Sequence, residues 1–207
     1  MSAVMVWIRE PRSGATRHPH DQPFARMKVL GLFRHAKSDW NDARLRDFDR
    51  PLNARGREGA ALMGKHIGEF GVAWQRVIAS PAVRVTQTIE LAADAAGRSL
   101  PVIWDRRIYL ASSPTLIDLL REQEGDPRSI LMAGHNPGLE DLIFDLVPED
   151  GGCPLRAIVE EKFPTAAFAV LTMDIASWAD IEDGCAKLVH LSRPRDLDAR
   201  LGPEPVD

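Results

Sequence analysis

Short apolar runs alternate along this chain with longer segments in which apolar residues recur every three or four positions. The compact runs at 28–33 (KVLGLF), 75–79, 101–104, 129–133, 166–173 and 186–191 predict six strands. Between the first two, Ala60, Leu62, Met63, His66, Ile67 and Phe70 share one helical face and predict a helix from Asn53 to Phe70. Further helices are expected at 81–96, 114–124 and 137–146, with a shorter one at 155–160. Gly71, Gly97 and Gly125 stand where helix C-caps belong. The segment 174–184, carrying Trp178, reads as a hairpin-like connection between the last two strands, which are expected to pair antiparallel at the sheet edge. This alternation predicts an α/β fold of three layers, with a mostly parallel sheet of about six strands flanked by helices. His66 on an apolar helix face and His190 in a strand read as core residues.

The first 26 residues break the pattern. Met1 to Ile8 is apolar, but the following REPRSGATRHPHDQP has no periodicity and several breakers, so 1–26 is expected to be an extension. His18 and His20 flank Pro19 there and read as solvated rather than metal-binding. One domain is expected over 27–207, with about the last 12 residues a loose tail. With 207 residues, 44% hydrophobic and 27% charged, the chain suits a single substantial core. A net charge of -4 without a basic run argues against nucleic acid as a partner. No apolar stretch approaches the ~20 residues of a membrane span. Cys153 and Cys185 lack metal-type spacing and suit a reducing, cytoplasmic setting; neither a metal nor another cofactor is expected.

Candidate chemistry clusters at strand ends. Ligands of open α/β sheets bind outside the carboxyl ends of strands, and there the first run ends in Arg34-His35. Arg is shaped to clamp an anion with two parallel hydrogen bonds, and His can act as a nucleophile toward phosphoryl groups. The second strand runs into Ser80-Pro81, read as a helix start that puts Arg84 in the first turn. The fourth ends in Gly134-His135, with Asn136-Pro137 restarting the chain as a helix. Ser38 and Asn41 are further donors suited to phosphate oxygens. Two Arg and two His are thus expected around one anion-sized spot.

In this order, Arg34-His35, Ser80-Pro81 with Arg84, and Gly134-His135-Asn136-Pro137 resemble the signature of the histidine phosphatase superfamily, which has the phosphoglycerate-mutase-like fold. The resemblance is closest to its short phosphohistidine-phosphatase branch and runs from about Met27 to about Pro194; Ala36-Lys37 stands where the larger family usually has Gly after the Arg-His pair. It implies that His35 takes up the phosphoryl group, that Arg34 and Arg84 clamp its oxygens, and that His135, when protonated, donates to the transferring group and stabilises the developing charge. Mutase-like members place a Glu after the third strand as general acid. Here Trp104 to Leu110 contains none, and Asp105 is the nearby carboxylate. A missing acid favours N–P substrates, whose imidazole leaves more readily than an alkoxide. The connection from Asp105 to Arg128 holds only one helix, which implies an open site. The charged loop from Ser38 to Pro51 forms either part of its rim or a solvated surface. The expected activity is a metal-independent phosphatase acting on protein phosphohistidine. The alternatives are a small-molecule phosphomonoesterase or mutase acting on a phosphorylated metabolite, and a non-catalytic phosphate-binding module.

Overall fold

The structure, a computed structural model, describes residues 27–98, 101–149 and 152–202. The expectations for 1–26 lie outside the described residues. Six strands, β1 (Lys28–Arg34), β2 (Arg76–Ala79), β3 (Val102–Trp104), β4 (Ser129–Gly134), β5 (Phe168–Met173) and β6 (Ala186–Ser192), form one sheet in the order β3-β2-β4-β1-β5-β6. β1, β2, β3 and β4 pair in parallel. β5 is antiparallel to both β1 and β6, so it alone runs against the other five.

Each strand emerges within two residues of its expected start; β1, β4 and β5 are buried on both faces, as central strands of such a sheet must be, whereas the edge strands β3 and β6 leave side chains exposed. Along β1 the pleat sends Leu30 and Leu32 to one side and Val29 and Phe33 to the other. The first side is covered by α3 (Ser113–Arg121), α4 (Gly138–Leu146) and α5 (Pro154–Glu161), through Leu116, Leu120, Leu139, Leu142 and Val159. The second is covered by α1 (Ala54–Glu69) and α2 (Val83–Ala96), through Met63, Ile67, Val85 and Ile89. The result is the expected three-layer α/β arrangement.

Local chemistry sets the helix ends. Asn53 caps α1 by accepting the Gly56 N–H at 2.8 Å. Gly97 ends α2 in the left-handed conformation (φ 63°). The start of α2 departs from expectation. Helical geometry begins at Val83 after Ala82, which has no side-chain cap; the Ser80 hydroxyl accepts from Ala82 N at 3.4 Å and also reaches the site described below. α3 stops at Arg121, so Gly125 (φ 71°) serves the turn into β4 rather than a cap.

β5 and β6 pair antiparallel at the sheet edge as expected, and three regions add detail beyond the sequence reading. The connection between β5 and β6 contains a short 3-10 turn, Trp178–Asp180, and buries Trp178, whose Nε1 donates to Pro127 O at 2.5 Å. After β6 come α6 (Pro194–Leu197), with Pro194 buried, and a 3-10 turn (Ala199–Leu201), and Arg55 donates to Gly202 O. His66 and His190 are half-buried rather than core. Their Nε2 atoms lie 3.0 Å apart where α1 crosses the edge strand β6, so each ring satisfies the other. No helix among the described residues is long and apolar enough to cross a membrane.

The α1–α2 contact fixes the roof over the second core. A Cβ on Gly64 would come within 2.3 Å of both the Cα and the carbonyl oxygen of Ala92, so only glycine permits this approach. Gly64→Leu is expected to lower the unfolding free energy by about 1–3 kcal/mol or more, measured by urea denaturation; an unchanged midpoint would show that the helices separate without cost.

Candidate active site

Three adjacent parallel strands bring the chemistry together. β1 lies beside β4 with Arg34 opposite Gly134, so the next residues, His35 and His135, emerge side by side. His35 N donates to Gly134 O at 3.1 Å, and the two imidazole centroids are 5.1 Å apart. β2, on the far side of β4, delivers Ser80, whose N–H donates to Ala133 O. The Ser80 hydroxyl lies 2.9 Å from His135 Nε2. α2 begins just beyond and places Arg84 in its first turn. Thr88 ties the helix to the strand end: its hydroxyl donates to Arg84 O at 2.6 Å and accepts from Ala36 N at 3.0 Å.

Arg84 is 2% exposed, and its guanidinium organises the site. Nε donates to His35 Nε2 at 3.3 Å and Nη2 to His135 Nδ1 at 3.2 Å. A guanidinium can only donate, so both of those ring nitrogens are acceptors. His35 therefore carries its proton on Nδ1, which donates to Ala36 O at 2.8 Å, and Nε2 keeps a lone pair facing the site. His135 carries its proton on Nε2, directed at Ser80. Burial pushes His35 from the ordinary 6.5 down to about 3; the Ala36 carbonyl opposes this, while Arg84, Arg34 and Arg50 reinforce it. His135 is also driven to about 3, first by burial and then by His35 and Arg84. Burial and the neighbouring Arg84 and Arg34 thus favour the neutral form of His135 in the free protein, against the opposing charge of Asp47.

Arg34 sits at the end of β1, where Nη1 donates to Phe163 O at 2.6 Å and Nε is buried without a partner. Ser38 is buried too, but its hydroxyl accepts from Arg50 Nη2 at 2.8 Å. Asn41 is not brought to the site: it lies exposed, in a turn closed by its backbone N–H on Asp39. Asp105 turns away as well. Its carboxylate caps a short 3-10 turn and accepts from the Arg107 N–H and guanidinium, which hold its pKa below the usual carboxylate range.

The charged loop supplies what the motifs did not indicate. Asp47 Oδ2 accepts from Arg84 Nη2 at 2.9 Å and from the Tyr109 hydroxyl at 2.7 Å, and Asp47 O accepts from Arg84 Nη1 at 2.6 Å. Arg50 is 6% exposed, with Nε 3.3 Å from Asp47 Oδ1. Its Nε and Nη1 make no hydrogen bond, and its guanidinium stacks 3.2 Å from the ring centroid of Trp40, which is 75% exposed. Phe48 and Tyr109 close the opposite wall edge to face. Sequence reasoning missed Asp47, Arg50, Tyr109 and the hydroxyl of Ser80. The usable signal was the Asp47/Arg50 pair three apart, flanked by Phe48 and Leu52 in an otherwise solvated-looking loop.

Chemically, three guanidinium groups surround one neutral imidazole that presents a lone pair. Such a site attracts a tetrahedral dianion and offers it a nitrogen nucleophile. No group of three His, Cys, Asp or Glu residues placed to hold a metal occurs among the described residues.

The depressed values fix a sign for pH dependence. The folded pKa values of His35 and His135 lie below the ordinary 6.5, so unfolded chains bind more protons in that window and stability falls as pH drops from 6.5 toward 3. Nitrogen-15 NMR of the imidazoles should show His35 as the neutral Nδ1–H tautomer even at about pH 5, where an ordinary His is mostly cationic; a cationic His35 at that pH would contradict the geometry.

Residues 30–109 match the family model of the histidine phosphatase superfamily (branch 1). The chain is 34% identical over 163 residues to an uncharacterized protein of Mycobacterium tuberculosis, covering 78% of this chain and 99% of that one. It is similar in structure to the putative phosphohistidine phosphatase SixA from Agrobacterium tumefaciens, with 28% identity, a TM-score of 0.67, and coverage of 81% of this chain and 98% of that one. It shares its fold with the protein histidine phosphatase SixA complexed with tungstate, at 22% identity and a TM-score of 0.66 over 82% of this chain and 99% of that one. From the matched motif region, the full-length relatives and the shared fold together, the chain belongs to the histidine phosphatase superfamily.

Proposed function

We propose that this protein is a phosphatase that works through a covalent phosphohistidine on His35, with phosphohistidine on another protein as its substrate. The reading is carried by one observation: His35 holds its Nδ1 proton on Ala36 O and keeps Nε2 unprotonated, accepting from Arg84 Nε. A phosphoryl group entering there would replace Asp47 on Arg84 and meet the unpartnered donors of Arg34 and Arg50. Nε2 attacks phosphorus, the leaving group departs on the opposite side, and water then cleaves the phosphoramidate. The catalytic work is positioning and charge stabilisation, in which Arg34 and Arg84 hold the equatorial oxygens. His135, held by Ser80 and Arg84, supports the same oxygens.

The substrate class is supported by the short connection and exposed rim beside the site. Between β3 and β4 there is only a 3-10 turn (Arg106–Ile108) and α3, and the rim carries the exposed Trp40 and the half-exposed Asp47. A phosphorylated residue borne by a protein can approach such a rim, whereas small metabolites are better held under a cover. The similarity to the putative phosphohistidine phosphatase named above, at 28% identity, supports the same reading. We place the reaction in the cytoplasm, where the two free cysteines, Cys153 and Cys185, stay reduced.

The test compares a phosphohistidine peptide with p-nitrophenyl phosphate and phosphoglycerate, with trapping of the labelled enzyme. The peptide should be turned over fastest, and the trapped label should be acid-labile and base-stable. His35→Ala should lower turnover by at least about a thousandfold while leaving the fold intact. Preference for phosphoglycerate would establish the small-molecule alternative; unchanged turnover in the variant would remove the covalent mechanism. Tight phosphate binding without turnover would indicate the non-catalytic module.

A further inference from the structure

We propose that Asp47 is the proton donor and acceptor of the reaction, the role for which the third strand offers no glutamate; this rests on the histidine-nucleophile reading above. The placement follows from the two ends of Arg84. Its Nε lies against His35 Nε2, and its Nη2 lies against Asp47 Oδ2. In an in-line displacement the leaving atom stands on the far side of phosphorus from the attacking nitrogen. A phosphoryl group lying along the Arg84 fork, with His35 at the Nε end, therefore presents its leaving atom toward Asp47. The side chain of Asp47 is 43% exposed, while that of Arg84 is 3% exposed, so the carboxyl sits where a bulky leaving group must exit.

The other nearby carboxylates are committed elsewhere. Asp105 is held by Arg107, and Glu140 accepts from Asn136 and from Phe163 N. Asp47 faces Arg84, Arg50 and the Tyr109 hydroxyl, with His135 close enough to feel its charge. In the free protein, burial works against its negative charge, but Tyr109 and Arg84 outweigh that and keep its pKa below the usual carboxylate range. A bound phosphoryl dianion takes over both guanidinium groups and adds negative charge beside the carboxyl. Each change favours the protonated acid, so substrate binding itself arms the donor.

The proton balance closes over a turnover. In the first half His35 Nε2 bonds to phosphorus, the bond from phosphorus to the leaving atom breaks, and the Asp47 proton passes to that atom. In the second half a water oxygen bonds to phosphorus, the P–Nε2 bond breaks, and the water proton returns to Asp47. His35 leaves as the neutral Nδ1–H imidazole. Alkyl esters need this proton most, whereas a p-nitrophenolate or the imidazole of phosphohistidine needs it least. Asp47 thus sets how far the enzyme reaches beyond N–P substrates.

The experiment measures kcat and KM of the wild-type, Asp47→Asn and Asp47→Glu proteins on glycerol phosphate, p-nitrophenyl phosphate and a phosphohistidine peptide, with phospho-labelling of His35. Asp47→Asn should lower kcat for glycerol phosphate by roughly 10²- to 10⁴-fold and flatten the alkaline limb of its pH profile. The rate of His35 labelling by the other two substrates should fall less than about tenfold, and Asp47→Glu should restore part of the alkyl activity. A labelling rate that falls equally on all three substrates would overturn the acid role and leave Asp47 as a positioning residue for Arg84. Wild-type turnover of glycerol phosphate no faster than that of Asp47→Asn would overturn it equally. Turnover by the wild type without label on His35 would remove this inference and the covalent reading together.

Discussion

The guanidinium of Arg84 is the constraint on which the site depends. It reaches His35, His135 and Asp47 at once, from a position almost wholly out of water. A buried cation costs several kcal/mol unless its donors are satisfied, and here the partners are also the reactive groups. Because a guanidinium cannot accept, its contacts dictate the tautomers of both imidazoles. The orientation of the nucleophile therefore follows from the packing of one helix start against three strand ends. Thr88 secures that packing by joining Arg84 O to the backbone just after His35.

Electrostatic compensation explains how so much positive charge is assembled without substrate. Arg84 and Arg50 share the Asp47 carboxylate, and both His rings are neutral. Asp47 stands in for the anion that the site is built to receive. Exchange of a protein carboxylate for a phosphoryl group preserves the charge balance while moving negative charge toward the nucleophile. Trp40, stacked on Arg50, limits the water that reaches that side chain, which strengthens its interaction with any anion.

The sheet and its helices were legible because burial on both faces forces apolar runs into the strands and helical spacing into the covers. Arg34, His35, Arg84 and His135 were legible for a related reason: each follows an apolar run at a strand end or helix start, where polar side chains are conspicuous. Asp47 and Arg50 were not, because they lie in an irregular loop crowded with charges, and no periodicity distinguishes a buried Arg from a solvated one. Ser80 resembled a helix cap, and its actual partner, His135, is 55 residues away in sequence. Asn41 and Asp105 were chosen by proximity along the chain, but a turn exposes one and Arg107 claims the other. His66 and His190 sat at positions that periodicity assigns to the core, yet they are half-buried, with their polar nitrogens paired to each other and their rings against Phe70 and Phe168.

The most direct measurement of the central claim is a crystal structure with bound vanadate, which mimics the phosphoryl group in transfer. The account predicts vanadium bonded to His35 Nε2, its equatorial oxygens on Arg34, Arg84 and Arg50, and Asp47 released from Arg84 to face the apical oxygen. Vanadate bound away from His35, or bound with the Asp47–Arg84 pair intact, would contradict it.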